Sequence, residues 1–460
     1  MDRPDPTAAS LPAPTRLVAA PGVRWRGSTL LAGGAPWGLT RVAPAARATV
    51  RAWMEGGVVG ERATLARRLV DRGLLLARVP TPVTLDDLEV VVPVRDDAVG
   101  LERLLAGLGH LPVTVVDDGS RDADAVAAVA RRHGARLVRR SRSGGPGAAR
   151  NAGLRRTTRP LVWFCDADLV VGDGAAVARR LRAHLADPRV GAVAPRVRGD
   201  GGGGWRARYE RAEGALDRGP ASALVRPGGA VPFVPSACLL VRRAAVGRGF
   251  DPSLRRGEDV DLVWRLGDAG WLVRYDADVV VTHPPRGSWA TWWAQREGYG
   301  SSAGPLARRH GARLAPLRLS APLFALGLGV AGAPVAGLVV AGWMTRRVAA
   351  ALPVDTPRPV AVAAGLVAAS LGEAAIATPR AIARMSGPLP WVALVSRATR
   401  PAGLAVVGLA ALGRLRRGGL TVAAAGALDD LAYASGLVRG AIAARTLDPL
   451  RPRRGSADRR

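Results

Sequence analysis

Leu161-Val162-Trp163-Phe164-Cys165-Asp166-Ala167-Asp168 is the stretch whose reading decides the fold. An apolar run meets two carboxylates with one residue between them. Such a run suits a strand buried on both faces, and in extended chain positions i and i+2 share a face. Asp166 and Asp168 can therefore converge on one hard cation. A divalent metal held this way, with open positions, can bridge the oxygens of a diphosphate. A plain turn after a strand also favours Asp, so the pair needs company.

Working outward, the segment from Val113 to Ser120 (VTVVDDGS) is a second apolar strand ending in acids. Open α/β sheets bind ligands at the carboxyl ends of their strands, where Asp117 or Asp118 can accept from a base N–H or a ribose hydroxyl. Turn and helix-cap chemistry is the alternative use for one of the two. Gly144 to Gly153 (GGPGAARNAG) is a Gly-rich helix entry, and Arg150 adds a cationic fork to an anion-favouring helix start. The P-loop pattern does not fit, because it requires a Lys.

Farther on, Gly249 to Leu266 (GFDPSLRRGEDVDLVWRL) opens a helix with Glu258 and Asp259. Acids there suit the helix dipole, and a carboxylate there can also take a proton from an attacking hydroxyl. His283 follows the apolar run Val279–Val281, as a structural histidine or a ligand.

These segments lie in the second of three blocks. The first runs from about Arg16 to Val79, ahead of Pro80-Thr81-Pro82, after a Pro-rich segment 1–15 expected to be disordered. Runs at Arg16–Arg24 and Thr29–Leu31 suggest a hairpin, and Ala45–Met54 and Glu61–Leu76 have helical spacing. That combination resembles a winged-helix or PqqD-like peptide-binding module, with a plain capping domain as the alternative. The second block, 86–293, alternates strands (Leu88–Val94, Val113–Val116, Leu161–Phe164, Gly191–Ala194) with helices (Leu101–Leu108, Ala125–Arg132, Ala175–Leu185), which defines an α/β domain with a parallel sheet. Gly201–Gly204 marks a loop within it.

The third block, 294–450, is rich in Ala, Gly, Leu and Val, and a basic tail 451–460 closes the chain. Leu319–Thr345 is uncharged and long enough to cross a bilayer. The shorter runs Pro359–Gly372, Pro388–Ser396, Pro401–Gly413 and Gly418–Leu428 have the length of core or interfacial helices. A soluble helical bundle is the alternative.

The 460 residues carry 66 basic and 37 acidic side chains, a net charge of +29, and every basic residue is Arg. With 48% hydrophobic residues and no Gly-x-y period, disordered and collagen-like classes are excluded. The charge alone invites nucleic acid, but no interleaved aromatic-basic surface motif supports it. From Gly311 onward 19 Arg face 6 acids, which points to an anionic membrane surface. Cys165 and Cys238 make no disulfide framework, and no basic segment precedes an apolar one at the start, so a cytoplasmic disposition is expected.

The order of the motifs (apolar strand, VVDDGS, the Gly-rich ARN segment, DAD, GFD…GEDVDL…RL, late His) resembles the family 2 glycosyltransferases, which share the GT-A fold. The resemblance covers about Leu88 to His283 and implies an enzyme using a nucleotide-sugar donor, usually a uridine diphosphate sugar, with Mn²⁺ or Mg²⁺. It implies that Pro93, Val94, Asp117 and Asp118 line base and ribose, with Arg150 and Asn151 near the nucleotide. Asp166 and Asp168 would bind the metal through the diphosphate, with His283 completing the site. Asp259, with Glu258 beside it, would be the base that deprotonates the acceptor hydroxyl, in a displacement that inverts the anomeric centre.

The Q-x-x-R-W motif of processive members is replaced by Gln295-Arg296-Glu297-Gly298-Tyr299, which argues against long-chain synthesis. Three further segments, Ala66–Leu74, Leu216–Ala237 and Tyr299–Gly311, resemble the mycofactocin-system branch of this family. That implies transfer of glucose to a peptide-derived redox cofactor as acceptor. A cell-wall glycan or lipid-linked acceptor is the competing reading within enzymes, and an inactive GT-A scaffold the competing one outside them.

Overall fold

The computed structural model of the chain describes residues 10–79, 84–200, 202–284, 288–314, 318–330, 332–354, 356–385 and 389–454. They form two compact units, one from the described residues of 1–25, 30–202 and 214–285, the other from those of 26–29, 203–213 and 286–460.

The chain opens with β1 (Arg16–Ala19), β2 (Arg24–Arg26), β3 (Leu30–Gly33), β4 (Gly38–Arg41), α1 (Arg47–Met54), β5 (Glu55–Val58), α2 (Ala63–Asp71) and β6 (Leu75–Arg78). The expected pairing of the first two runs is met only at the end of the first, where β2 lies beside β3 in a sheet β2-β3-β4; β1 is instead the central strand of an antiparallel sheet β5-β1-β6. Leu17 is fully buried there with Val50, Trp53, Leu69 and Leu75 around it, which rewards the central position. The Glu61–Leu76 helix ends at Asp71, because the chain turns at Gly73, where φ is +64°, and leaves as a strand. Of the N-terminal segment expected to be disordered, residues 1–9 lie outside the described residues, and Leu11 and Thr15 are buried.

The small module is bolted to the rest of its unit by buried charge. Asp187, fully buried, accepts two hydrogen bonds from Arg67 (3.1 and 2.9 Å) and one from Arg274 (2.8 Å), and Arg189 donates to Asp71 at 2.6 Å. Burial works against the Asp187 carboxylate, but the two guanidiniums and a backbone N–H hold it below its ordinary range.

The α/β part follows: β7 (Leu88–Val94), α3 (Ala98–Leu108), β8 (Val113–Asp117), α4 (Ala123–Arg132), β9 (Arg136–Arg139), α5 (Pro146–Arg156), β10 (Leu161–Cys165), α6 (Gly174–His184), β11 (Val190–Gly199), α7 (Gly204–Glu213, in the second unit), β12 (Ala223–Leu224), β13 (Cys238–Arg242), α8 (Arg243–Val246), α9 (Glu258–Asp268) and β14 (Leu272–His283). One sheet takes the order β12-β14-β11-β13-β10-β7-β8-β9. It is mixed rather than all parallel: β13 runs antiparallel to both β10 and β11. Apolar content identifies a buried strand but carries no information on its direction. The core joins Val90, Val92, Leu101, Leu104, Val115, Trp163, Leu181, Val193 and Leu240.

The second unit contains α7, α10 (Trp289–Ser301), α11 (Ala303–His310), α12 (Ala321–Val330), α13 (Pro334–Ala351), α14 (Pro359–Met385), α15 (Leu389–Val392) and α16 (Arg400–Ala443). The uncharged Leu319–Thr345 run is therefore not one span. Gly332, at φ +84°, breaks it into two helices, and Gly337 of α13 packs against the Ala325 carbonyl of α12. Pro359–Gly372 is instead the start of a 27-residue helix, the described helix long and apolar enough to cross a membrane. The last two expected helices are one element bent at Gly418 and Gly419, which leave helical backbone angles. Residue 201 of the expected glycine loop and 455–460 of the basic tail lie outside the described residues.

Candidate active site

Strand order reverses at β7, which has β8 and then β9 on one side and β10 on the other. A crevice opens beyond the carboxyl ends at such a point. Val94 ends β7, Asp117 ends β8 and Asp166 follows β10, so this crevice gathers the acids picked out in the sequence.

Asp117 and Asp118 are both buried, and each already has protein partners. Asp117 accepts from the Ser120 backbone N–H at 2.8 Å and from Arg139, fixing the turn after β8. Asp118 accepts from Ser143 Oγ (2.8 Å) and the backbone N–H groups of Gly144 (3.1 Å) and Gly145 (2.9 Å), with Arg140 Nε 3.3 Å away. Asp118 thus fastens the Gly-rich loop through three hydrogen bonds and an ion pair. Pro93 is half-buried and Val94 buried at the end of β7, where the Val94 carbonyl accepts from Asp118 N.

Arg150 lies on α5 and is buried. Its Nη1 donates to Glu258 Oε1 at 2.9 Å and its Nη2 to Asp166 Oδ1 at 2.5 Å, while the guanidinium lies over the Phe250 ring. Burial opposes its charge, but Asp166 and Glu258 more than offset that and raise its pKa. α5 can approach this closely because Gly147 leaves room: a Cβ there would meet Phe250 Cβ at 3.2 Å and Glu258 Cγ at 3.3 Å. Asn151, next to Arg150, grips the backbone of Phe250, donating to its carbonyl (2.7 Å) and accepting from its N–H (2.9 Å).

Glu258 and Asp259 open α9 after Gly257, a left-handed position at φ +79°. Burial, followed by the neighbouring Asp259 charge, pushes Glu258 up to about 7 despite Arg150. Asp259 is half-buried and also raised by desolvation, and it accepts from Val260 N at 2.8 Å. A carboxyl that titrates near neutrality is suited to moving a proton.

Asp168 and His283 come together, with His283 Nε2 2.9 Å from Asp168 Oδ2. An isolated bridge pairing Val170 with Thr282 brings the DAD segment beside the end of β14. Asp166 does not join them. Its carboxylate faces Arg150, and burial, reinforced by the Asp168 charge, raises its pKa. Among the described residues no group of three or more His, Cys, Asp or Glu side chains could hold a metal ion. The chemistry of Asp168 and His283, one carboxylate and one imidazole, fits Mn²⁺ or Mg²⁺ if phosphate and water oxygens fill the other positions.

Arg139, Arg140, Ser143 and Phe250 are not singled out by the sequence motifs. The available signal is the basic run Arg139-Arg140-Ser141-Arg142 at the end of β9.

A sheet with acids and a glycine loop at its switch point defines a nucleotide-using α/β enzyme, and residues 89–250 match the family described as Glycosyl transferase family 2. The chain belongs to the family 2 glycosyltransferases, and its α/β part is GT-A-like, with a mixed central sheet. It is 36% identical to the pre-mycofactocin glycosyltransferase of Mycobacterium tuberculosis over 93% of this chain and 94% of that protein. It is 33% identical to the N-acetylglucosaminyl-diphospho-decaprenol L-rhamnosyltransferase of the same organism, over 43% of this chain and 76% of that one. Among solved structures, a mannosyltransferase from Pyrobaculum calidifontis in complex with GDP-Man and Mn²⁺ matches with TM-score 0.39 and 19% identity, over 70% of this chain and 84% of that one.

Proposed function

We propose that this glycosyltransferase moves a sugar, with glucose the expected one, from a uridine diphosphate donor to a hydroxyl of a peptide-derived redox cofactor of the mycofactocin type. The observation that carries the acceptor is the extent of the likeness: 36% identity to a pre-mycofactocin glycosyltransferase runs through 93% of the chain, beyond the α/β block alone. The opening module would supply a second contact surface for a peptide-like acceptor.

In this reading the start of α5, positioned by the loop that Asp118 fastens, receives the diphosphate. Asp168 and His283 would hold Mn²⁺ or Mg²⁺, whose role is to neutralise charge on the leaving diphosphate. Asp259 accepts the proton of the acceptor hydroxyl, with Glu258 next to it. Arg150 keeps Glu258 and Asp166 in register and disperses their charge. Attack opposite the departing diphosphate inverts the anomeric centre. The proposed seat of the reaction is the cytoplasmic face of a membrane, supported by the arginine-rich apolar composition after Gly311.

The test is a panel of nucleotide sugars with Mn²⁺ and the peptide-derived precursor, read by product mass. A hexose added from UDP-glucose, lost in Asp168→Ala and Asp259→Asn, is the expected result. Transfer only to a lipid-linked glycan would overturn the acceptor, and full activity in both variants would overturn the site.

A further inference from the structure

The second unit buries an ionic network beside a small apolar cluster of Tyr209, Trp292, Val422 and Ala425. Arg414 grips Asp430 with both terminal nitrogens (2.7 and 3.0 Å), and Arg384 reaches Asp430 (2.8 Å) and Asp429 (2.5 Å). Arg296 lies between Glu210 and Asp429, and Glu213 meets Arg380 (2.7 Å) and Arg417 (2.5 Å). The side chains of Arg296, Arg414, Asp429, Asp430 and Glu213 are all nearly inaccessible.

Aliphatic side chains are exposed along three of its helices. On α13, Val335, Leu338, Val339 and Trp343 follow i, i+3, i+4, i+8 spacing, and all four are more than half exposed. Leu404, Leu409 and Leu412 are exposed along α16, and Leu420 after its bend is 80% exposed. In α14 the most apolar window has a mean hydropathy of 1.9 and is only 19% buried.

The way these helices pack points in the same direction. Gly436 and Gly440 of α16 face Gly300 and Gly304 of α10 and α11 so closely that a Cβ on any of the four would fall 1.8–2.1 Å from a backbone oxygen. Small residues four apart permit such contact and are the usual device where water does not drive helices together. Buried ion pairs, close glycine contacts and outward aliphatic side chains together fit a helical unit in lipid.

We propose that the outer faces of α13, α14 and α16 rest against the acyl chains of a phospholipid bilayer. The occupant is lipid rather than another protein for two reasons. The exposed apolar side chains extend over three helices, and the 19 Arg against 6 acids after Gly311 complement anionic headgroups. The Arg347 guanidinium over the Trp343 ring, 5.3 Å from its centre, is an anchor suited to the headgroup level. This inference does not depend on the acceptor proposed above.

Flotation of the full chain tests it, with vesicles of phosphatidylcholine plus phosphatidylglycerol and vesicles of phosphatidylcholine alone. The protein is expected to float with the mixed vesicles and to stay bound through a high-salt wash. The Leu338→Glu/Val339→Glu double variant should lose at least about tenfold in partitioning. Val99→Glu, at an exposed apolar position of the first unit, should float like the parent, and all three should bind UDP equally as a check of the α/β fold. Absence of flotation, release by salt, or equal flotation of the double variant would overturn the proposal. A lipid-free oligomer that the double variant dissolves would assign the surface to a second copy of the chain instead.

Discussion

Replacing Arg150 by Met removes one cation from between two carboxylates while keeping most of the side-chain volume. The guanidinium touches Glu258 at 2.9 Å and Asp166 at 2.5 Å. With charge centres about 4 Å apart and an effective dielectric near 20, each pair is worth up to about 4 kcal/mol, an upper bound of about three pKa units per carboxyl. Water entering the vacated space screens part of that, so a shift of about one to three units is the expected range.

Glu258 already titrates at about 7, so in the variant it should stay protonated to about pH 8 or above. The profile of kcat/KM reports the free enzyme, so its acid limb should move up by at least about one unit. Stability should follow the same sign. Glu258 has a raised pKa, so the folded state holds its proton more tightly than the unfolded chain does. Ionising it costs stability as pH climbs from the ordinary carboxylate range to the folded value. Without Arg150 that cost grows and extends higher, so the variant should lose more stability at about pH 8 than at about pH 6, by roughly 1 kcal/mol. Urea unfolding at the two pH values and a kcat/KM profile are the assays. An unmoved acid limb together with an equal stability loss at both pH values would refute the reasoning.

Three further outcomes follow from the geometry. Asp118→Asn turns an acceptor towards donors it must then oppose, so donor KM should rise at least about tenfold while far-UV circular dichroism stays native, measured by initial rates against donor concentration. Gly249→Ala adds a Cβ 2.2 Å from Asn151 Oδ1 at φ +81°, which should cost about 1–3 kcal/mol in urea unfolding and free the Asn151–Phe250 clasp. Asp187→Ala leaves Arg67 and Arg274 buried without their shared carboxylate and should cost about 3–5 kcal/mol; in the parent, where the Asp187 pKa is depressed, that stability should be present above the ordinary Asp range and lost on acidification through the lower folded value, as thermal unfolding against pH would read.

The sequence was most informative where one local pattern suffices. The strands Leu88–Val94 and Leu161–Cys165 announce themselves by continuous apolar runs, and the acids behind them fall at strand ends because strands end there. What side chains do across long separations was not legible. Nothing local shows that Asn151 holds the Phe250 backbone, or that Asp166 turns to an arginine while Asp168 turns to His283. Those pairings depend on where β14 and α9 return to the sheet. The β1 pairing failed for a related reason: a short strand takes the partner that buries Leu17 best, and β5 and β6 outcompete its neighbour in sequence. In the last block, hydropathy found apolar segments but could not see that Gly332 splits one of them, nor that the arginines and acids of α7, α10, α14 and α16 meet one another.

Every lysine-type or arginine-type joint described above is made by a guanidinium, since the chain has no Lys. A guanidinium remains charged far above neutral pH, and its planar fork lets one residue clasp two acids, as Arg150, Arg67 and Arg384 each do. The cationic half of these clasps therefore never lets go; they open from the carboxylate side alone. The molecule responds to acidity as a set of latches with a single release, so alkaline media leave its joints shut while acid loosens them in the order in which their carboxylates take up protons.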